Sequence, residues 1–225
     1  MKKIDVVIPS KNETESLIFT LNELNNYNFF NQIIVVIDSH DDPALNICKR
    51  YKNCKIHVQS KKGYGSAIKE GVSQSNSDYV VILYADGSLD PAETQNILLK
   101  SIEKDFYFGS RYMKGGSSDD DNLITLVGNF FFTQICRLLF NIKLSDILYT
   151  YVIFKKEAFL DLGINRNDTT FCIQLPYLVN LKKYSYIDFP SAERKRHSGV
   201  KKVNALIDGY KILKYIIILK IFNKY

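Results

Sequence analysis

Residues 78–91, DYVVILYADGSLDP, decide the fold of this chain. The first half is an apolar run typical of a strand that is buried on both faces of a parallel sheet. The second half is a short acidic loop that contains Asp86 and Asp90. Open parallel sheets bind their ligands at the carboxyl ends of the strands, so the loop predicts a metal-assisted site at that edge.

Two further apolar runs end in polar residues in the same way. Residues 6–13 read VVIPSKNE, and residues 35–42 read VVIDSHDD, in which the run stops at Asp38. Three strands therefore deliver polar groups to one edge of a sheet. We predict a single crevice there instead of three separate features.

Apolar runs alternate with segments of helical period along most of the chain, which predicts an α/β fold with a mostly parallel, Rossmann-like sheet flanked by helices. Pro91 starts one helix at a favoured first-turn position. The predicted strands are 4–9, 32–37, 55–59, 79–83, 106–109, 151–154 and 184–189. Three helices have only a predicted start: at residue 13, after residue 43 and at residue 91. Three others are predicted over residues 63–75, 123–140 and 171–181.

Residues 115–122, GGSSDDDN, predict a mobile loop close to the site. The apolar segment that follows predicts a packed helix. The four cysteines show no C-x-x-C spacing, and no signal-peptide core follows Met1, so we expect reduced thiols and a cytosolic location.

Charge is concentrated at the C-terminus. The net charge of the 225 residues is +6, but residues 194–225 contain nine Lys or Arg and one acid, which leaves −2 for the rest. Lysines alternate with apolar residues there, which predicts a basic amphipathic helix at 204–225 that lies on an anionic membrane surface. The alternative is an ordinary helix packed on the sheet.

Six motifs occur in order: VVIPSKNE, the Asp38 turn, KKGYGSAIKEG, YADGSLDP, FGSRY and RKRHSGVKKV. Together they resemble family 2 glycosyltransferases with the GT-A fold, and in particular the polyprenyl-phosphate sugar synthases of the dolichol-phosphate mannose synthase type. The resemblance covers nearly the whole chain. It implies a GT-A domain over 1–203, with a nucleotide-sugar-binding half at 1–114 and an acceptor half at 115–203.

The resemblance also implies roles for individual residues. The nucleotide sugar would contact Pro9, Lys11, Glu13, Val36, Asp38, Lys62, Ala85, Asp86, Arg111, Arg196 and Lys202. A divalent cation, Mg²⁺ or Mn²⁺, would bind Asp86 with help from Ser88. Catalysis would involve Asp86, Arg196 and Asp146, where Asp146 either acts as general base or merely caps a helix end.

Each of these residues also has a structural interpretation. Asp38 and the glycines near Lys62 suit simple turns, and Asp86 suits a helix cap. Lys11 and the basic run after Glu193 suit a solvated surface.

The chain departs from the family pattern at four positions. Tyr84 and Ile37 replace acids, and the F-E-I-E stretch of close relatives reads Phe171, Cys172, Ile173, Gln174. These changes weaken the predicted metal site and leave the acceptor less certain than the donor class.

The resemblance implies an inverting transferase that moves a sugar from a nucleotide diphosphate sugar to a lipid phosphate at the cytoplasmic membrane face. One alternative acceptor is a saccharide hydroxyl, and an inert nucleotide-sugar-binding homologue is a third hypothesis. Nucleic acid is not an expected partner, because no aromatic platform is interleaved with the basic residues. The sequence leaves a homodimer open.

Overall fold

The computed structural model describes residues 3–100, 103–199 and 204–222. Seven strands form the main sheet: β1 (Ile4–Pro9), β2 (Phe30–Ile37), β3 (Cys54–Val58), β4 (Tyr79–Ile82), β5 (Phe106–Ser110), β7 (Val152–Lys155) and β8 (Tyr186–Pro190). Their order across the sheet is β3-β2-β1-β4-β7-β5-β8. Two short strands, β6 (Ser117–Ser118) and β9 (Ala192–Glu193), pair separately.

Eight helices connect the strands: α1 (Glu15–Asn25), α2 (Ala44–Cys48), α3 (Tyr64–Ser73), α4 (Pro91–Leu99), α5 (Leu123–Phe140), α6 (Lys156–Asp161), α7 (Phe171–Leu181) and α8 (Ala205–Phe222). The predicted bounds of α5 and α7 are confirmed. For the other elements, each bound that was predicted lies within two residues of the observed one where the structure describes it. The sequence did not predict α6, β6 or β9. These three elements are too short to show a clear period.

The predicted α/β architecture with a mostly parallel sheet is confirmed. Strand β1 lies between β2 and β4, and all three run parallel. Strand β7 is antiparallel to both β4 and β5. After β1 the chain adds β2 and β3 on one side of β1 and then places β4 on the other side. The strand order therefore reverses between the carboxyl ends of β1 and β4. A ligand crevice is expected at such a point.

Side chains that alternate along the strands supply two apolar cores, one on each face of the sheet. Val80 and Ile82 of β4 face the core that contains α3, α7 and α8. Val81 faces the core that contains α1 and α2. Burial on both faces explains why the strands read as continuous apolar runs in the sequence.

Helix α8 contributes to this core with one face. Its inward side chains are buried against the α3–α7 side of the sheet: Ile212, Tyr215, Ile216 and Leu219. The predicted unit 204–225, of which residues 223–225 lie outside the described part, thus shares a core with the predicted unit 1–203. For the inner face of α8, the structure agrees with the packed-helix alternative.

The expectation that α5 is packed holds for one face only: Cys136 lies in the core, and Phe132 and Ile135 pack against it. Of its eighteen residues, only Thr133 and Cys136 are buried. The helix starts at a capping box between Asn122 and Thr125 and ends at Asn141, which has the left-handed φ of 55°. Among the described residues, it is the one helix long and apolar enough, by length and composition, to cross a membrane. An apolar composition predicts that a helix has apolar surface, but it does not predict which side of the helix a neighbouring element covers.

Candidate active site

A cavity of about 480 Å³ opens at the carboxyl ends of β1, β2 and β4. The predicted crevice is therefore present. The predicted nucleotide-sugar residues that line it are Pro9, Lys11, Glu13, Val36, Asp38, Lys62, Ala85, Asp86, Arg111 and Arg196. Lys202 lies outside the described residues. Asp146 and Ser88 are buried behind the cavity wall and are not among its lining residues.

The Asp86 carboxylate is oriented by the loop that follows β4. One oxygen, Oδ1, accepts hydrogen bonds from the backbone N–H of Ser88 at 3.0 Å and from its hydroxyl at 2.7 Å. The other oxygen, Oδ2, lies 3.6 Å from a guanidinium nitrogen of Arg196. This arrangement places Ser88 behind Asp86, where it orients the carboxylate; its role as a metal ligand stays a prediction.

The basic segment after β9 is held against the Asp86 loop by its backbone. The N–H of Arg194 donates to the carbonyl of Ser88, and the N–H of His197 donates to the carbonyl of Asp86, both at 2.8 Å. Gly199 then turns the chain with a φ of 85°, a value that glycine adopts without strain. A Cβ at this position would lie 2.9 Å from an oxygen of Glu13. The segment thus closes over one side of the cavity.

Arg196 is fixed by the acidic loop at 115–122. Its guanidinium donates to both carboxylate oxygens of Asp120, at 3.2 and 3.0 Å. The hydrogen bond to Asp120 is the main reason why the pKa of Arg196 rises above its usual value. The loop itself is tied to the basic segment by the pairing of β6 with β9. The loop lies at the site, as predicted, and supplies acids that sequence reasoning had not assigned.

Arg111 is surrounded by carboxylates. Its Nε donates to Asp146 Oδ2 at 2.7 Å and its Nη2 to Asp146 Oδ1 at 3.1 Å. Its Nη1 donates to Glu193 at 3.1 Å and lies 3.5 Å from Asp121. The guanidinium also lies 4.5 Å from the ring centre of Tyr149. A phosphate contact by Arg111 and a base role for Asp146 stay predictions, and the observed bonds favour positioning roles for both residues.

The side of the cavity formed by the ends of β1 and β2 contains an ion pair. Lys11 Nζ lies 2.7 Å from Asp38 Oδ2, with Lys11 mostly exposed and Asp38 mostly covered. The N–H of Ser10 donates to the carbonyl of Val36, which holds the end of β1 against β2. The backbone N–H of Asn12, whose φ is 52°, donates to Asp42. These contacts fix the loop after β1 beside Asp38.

The loop that carries Lys62 is held by Glu70 of α3. The Glu70 carboxylate accepts hydrogen bonds from the backbone N–H groups of Ser60 and Lys61, and from the hydroxyls of Ser60 and Ser66. His57 lies 2.9 Å from the same carboxylate. Sequence reasoning missed Glu70, although its position within KKGYGSAIKEG put it one helical turn after Ser66.

The four departures from the family pattern have physical consequences here. The hydroxyl of Tyr84 lies 2.9 Å from the Thr150 hydroxyl, and burial raises the pKa of Tyr84 well above its usual value. Burial also raises the pKa of the Cys172 thiol to about 12, so this cavity residue is uncharged at neutral pH. The side chain of Gln174 accepts hydrogen bonds from the backbone N–H groups of residues 165 and 166, so it stabilises the local fold. Ile37 is buried in the sheet.

For a divalent cation, the site offers few protein ligands. Among the residues that the structure describes, no group of three or more His, Cys, Asp or Glu is arranged to hold a metal. Tyr84 offers a neutral hydroxyl where the family pattern has an acid. Mg²⁺ is commonly held by one or two carboxylates plus substrate phosphates. Asp86 alone therefore fits a cation whose remaining ligands come from a bound diphosphate and water.

The chain belongs to glycosyl transferase family 2, whose model matches residues 5–163. It is 32% identical to the dolichol-phosphate mannosyltransferase of Pyrococcus furiosus over 95% of this chain and 62% of that protein. This chain thus spans less than two thirds of that relative. It is 26% identical to the poly(ribitol-phosphate) β-N-acetylglucosaminyltransferase of Staphylococcus aureus, over 90% of this chain and 67% of that protein.

Solved structures share the fold. Glucosyl-3-phosphoglycerate synthase of Mycobacterium tuberculosis, crystallised with Mn²⁺, uridine diphosphate and phosphoglyceric acid, superposes with a TM-score of 0.68. The sequence identity is 13%, and the match covers 96% of this chain and 76% of that one. This likeness agrees with the predicted GT-A fold.

Proposed function

We propose that this glycosyltransferase moves a hexosyl group, with inversion, from a nucleotide diphosphate sugar to a lipid phosphate of the polyprenyl type at the cytoplasmic face of a membrane. The observation that carries the acceptor assignment is the state of Asp146. Both of its carboxylate oxygens bind Arg111 and its side chain is buried, so it is poorly placed to take a proton from a hydroxyl. A phosphate acceptor is already anionic and needs no strong general base.

The donor is assigned from the residues that line the cavity. Asp38 would accept a hydrogen bond from the edge of the base, with Pro9 and Glu13 shaping the nucleoside pocket. Lys62 and Arg196 would bind the diphosphate, Arg196 through the planar fork that suits phosphate oxygens. Asp86 would hold a divalent cation, Mg²⁺ or Mn²⁺, which would neutralise charge on the departing diphosphate when bound.

Two relatives support different acceptors. The Pyrococcus protein is named for a dolichol phosphate acceptor, and the Staphylococcus protein for a poly(ribitol phosphate) acceptor. A hydroxyl acceptor would need a general base, and Asp120, whose carboxylate lines the cavity, is a candidate that Arg196 would have to release. The phosphate acceptor requires no such rearrangement, and we favour it.

The test begins with thermal stability in a panel of nucleotide sugars, with and without Mn²⁺. A donor at a hundredfold excess over its Kd should stabilise the protein by about 2.7 kcal/mol, which gives a shift of several degrees in Tm. The donor that stabilises is then used in transfer assays with a short-chain polyprenyl phosphate and with saccharide acceptors. Transfer to saccharides alone would contradict the proposed acceptor. The absence of both hydrolysis and transfer with every donor would favour the inert homologue.

Two variants test the site itself. Asp86→Ala should abolish metal-dependent stabilisation by the donor and transfer, whereas Asp78→Ala, an exposed acid before the same strand, should change neither. Arg196→Ala should reduce turnover more than affinity for the bare nucleoside, because Arg196 is assigned to the departing diphosphate. An Asp86→Ala enzyme with wild-type activity would refute the assignment of the site.

A further inference from the structure

The outer face of α5 is apolar and exposed. Leu138 is 85% exposed, Leu123 is 74% exposed and Phe130 is 62% exposed. Leu123 and Phe130 are seven residues apart and Leu138 follows eight residues later, so the three lie along one broad side of α5. Large apolar side chains in such a row are uncommon on a surface that meets only water.

Helix α8 extends the same surface. It packs beside α5, where Gly209 approaches the ring of Phe132 and Lys220 Nζ lies 3.4 Å from the carbonyl of Leu139. Seventeen large apolar residues are exposed in the described part of the chain, and thirteen of them lie on these two helices. We call this surface the α5–α8 apolar face: Leu123, Ile124, Leu126, Val127, Phe130, Phe131, Leu138, Leu206, Ile207, Tyr210, Ile217, Ile221 and Phe222.

The charges on the two helices are almost all positive. Their ranges contain Arg137, Lys211, Lys214 and Lys220 against one acid, Asp208, which gives a net charge of +3. Asp208 is turned inward, where it accepts hydrogen bonds from the Thr169 hydroxyl and the backbone N–H of Asn204. Positive charge around an apolar face opposes the approach of a second identical face and favours an anionic one.

We propose that the α5–α8 apolar face lies in the surface of an anionic lipid bilayer. The helices lie along the bilayer and do not cross it. On its other side α5 buries Thr133 and Cys136, and the Asn129 side chain donates to the Tyr112 hydroxyl at 2.8 Å. At 1.5 Å per residue, α5 would lay about 27 Å of apolar helix on the membrane. The docking surface therefore includes α5 and is wider than the predicted basic tail.

The active-site cavity opens beside this face. Thr125 and Asn129 of α5 and Asp208 and Ile212 of α8 line it. If the proposed function holds, a lipid acceptor would reach the cavity from the membrane between these two helices. Only its phosphate would need to leave the plane of the headgroups.

Sedimentation of the full-length protein with vesicles tests the docking surface. Binding to phosphatidylcholine vesicles that contain phosphatidylglycerol should exceed binding to pure phosphatidylcholine, and salt should weaken it. Phe130→Ser with Leu138→Ser should lower the partition coefficient by about a hundredfold, or roughly tenfold for each side chain. The matched control, Leu99→Ser with Leu160→Ser, removes two exposed leucines outside the face and should leave binding unchanged. Circular dichroism checks that all variants are folded.

Three outcomes would overturn the proposal. They are no binding of the folded protein to anionic vesicles at low salt, equal losses in the test and control variants, and a lipid-free dimer that the test variant dissociates while vesicle binding persists. The assay contains no donor, acceptor or metal, so it gives the same answer whether or not transfer to a lipid phosphate is observed. Failure of the proposed function and failure of the docking surface are thus distinguishable.

Discussion

Replacement of Glu70 by glutamine tests how the loop that carries Lys62 is held beside the cavity. The carboxylate accepts hydrogen bonds from two backbone N–H groups and two hydroxyls, and it also contacts His57. Burial opposes the charged form, but hydrogen bonds led by the Ser60 N–H outweigh it and lower the pKa of Glu70 from 4.5 to about 2. Glutamine keeps the shape and removes the charge.

The lowered pKa sets both the size and the sign of the effect. The difference between the unfolded and folded pKa values is worth about 3 kcal/mol of folding free energy at neutral pH. Because the folded pKa is the lower one, this stabilisation is present above the unfolded pKa and disappears as the pH falls through the folded pKa. Linkage predicts a loss of about 1 kcal/mol by pH 4 and about 2 kcal/mol by pH 3.

Urea unfolding near pH 7, 4 and 3 provides the measurement. We expect Glu70→Gln to be less stable than the wild type by about 3 kcal/mol at neutral pH, with a gap that narrows in acid. Glu157→Gln, an exposed glutamate in the first turn of α6, is the control and should show neither effect. A gap that stays constant across this pH range, or no gap at all, would refute the reasoning.

Two other predictions concern stability. Asp146→Asn should lower the free energy of unfolding by about 3 kcal/mol or more, because it leaves the buried Arg111 guanidinium without its main partner. The control Asp161→Asn breaks an exposed ion pair and should change the free energy of unfolding little. Similar losses in both variants would count against the buried network. Gly63→Ala should cost about 2 kcal/mol or more, since its φ is 126° and a Cβ would lie 2.2 Å from a carbonyl oxygen. Gly128→Ala, in open space on a helix, should be neutral or slightly stabilising, so equal thermal shifts for the two glycine variants would contradict the argument.

The position of the site was predictable because of how strands end. Buried parallel strands must be apolar on both faces, and the chain becomes polar where a strand leaves the sheet. Asp38 and Asp86 mark two such points, and their strands lie on either side of β1. The crevice at this edge could therefore be predicted from local sequence alone.

The partners of the charged residues were not predictable in the same way. Arg111 and Asp146 are separated by 35 residues, and Arg196 and Asp120 by 76. Each guanidinium had several acids within plausible reach, and the choice depends on which loops meet. The run of aspartates at 119–121 was visible, but nothing local indicated that one of them would bind Arg196.

By itself the sequence determined the α/β sheet, the order of its motifs and the edge at which the ligand residues gather. These follow from apolar periodicity and from residues that interrupt it, which are properties of short segments. Only the tertiary structure decided that Arg111 and Asp146 bind each other and that α5 and α8 leave thirteen large apolar side chains exposed. An apolar pattern gives a helix its apolar surface, but packing against distant segments decides how much of that surface is covered.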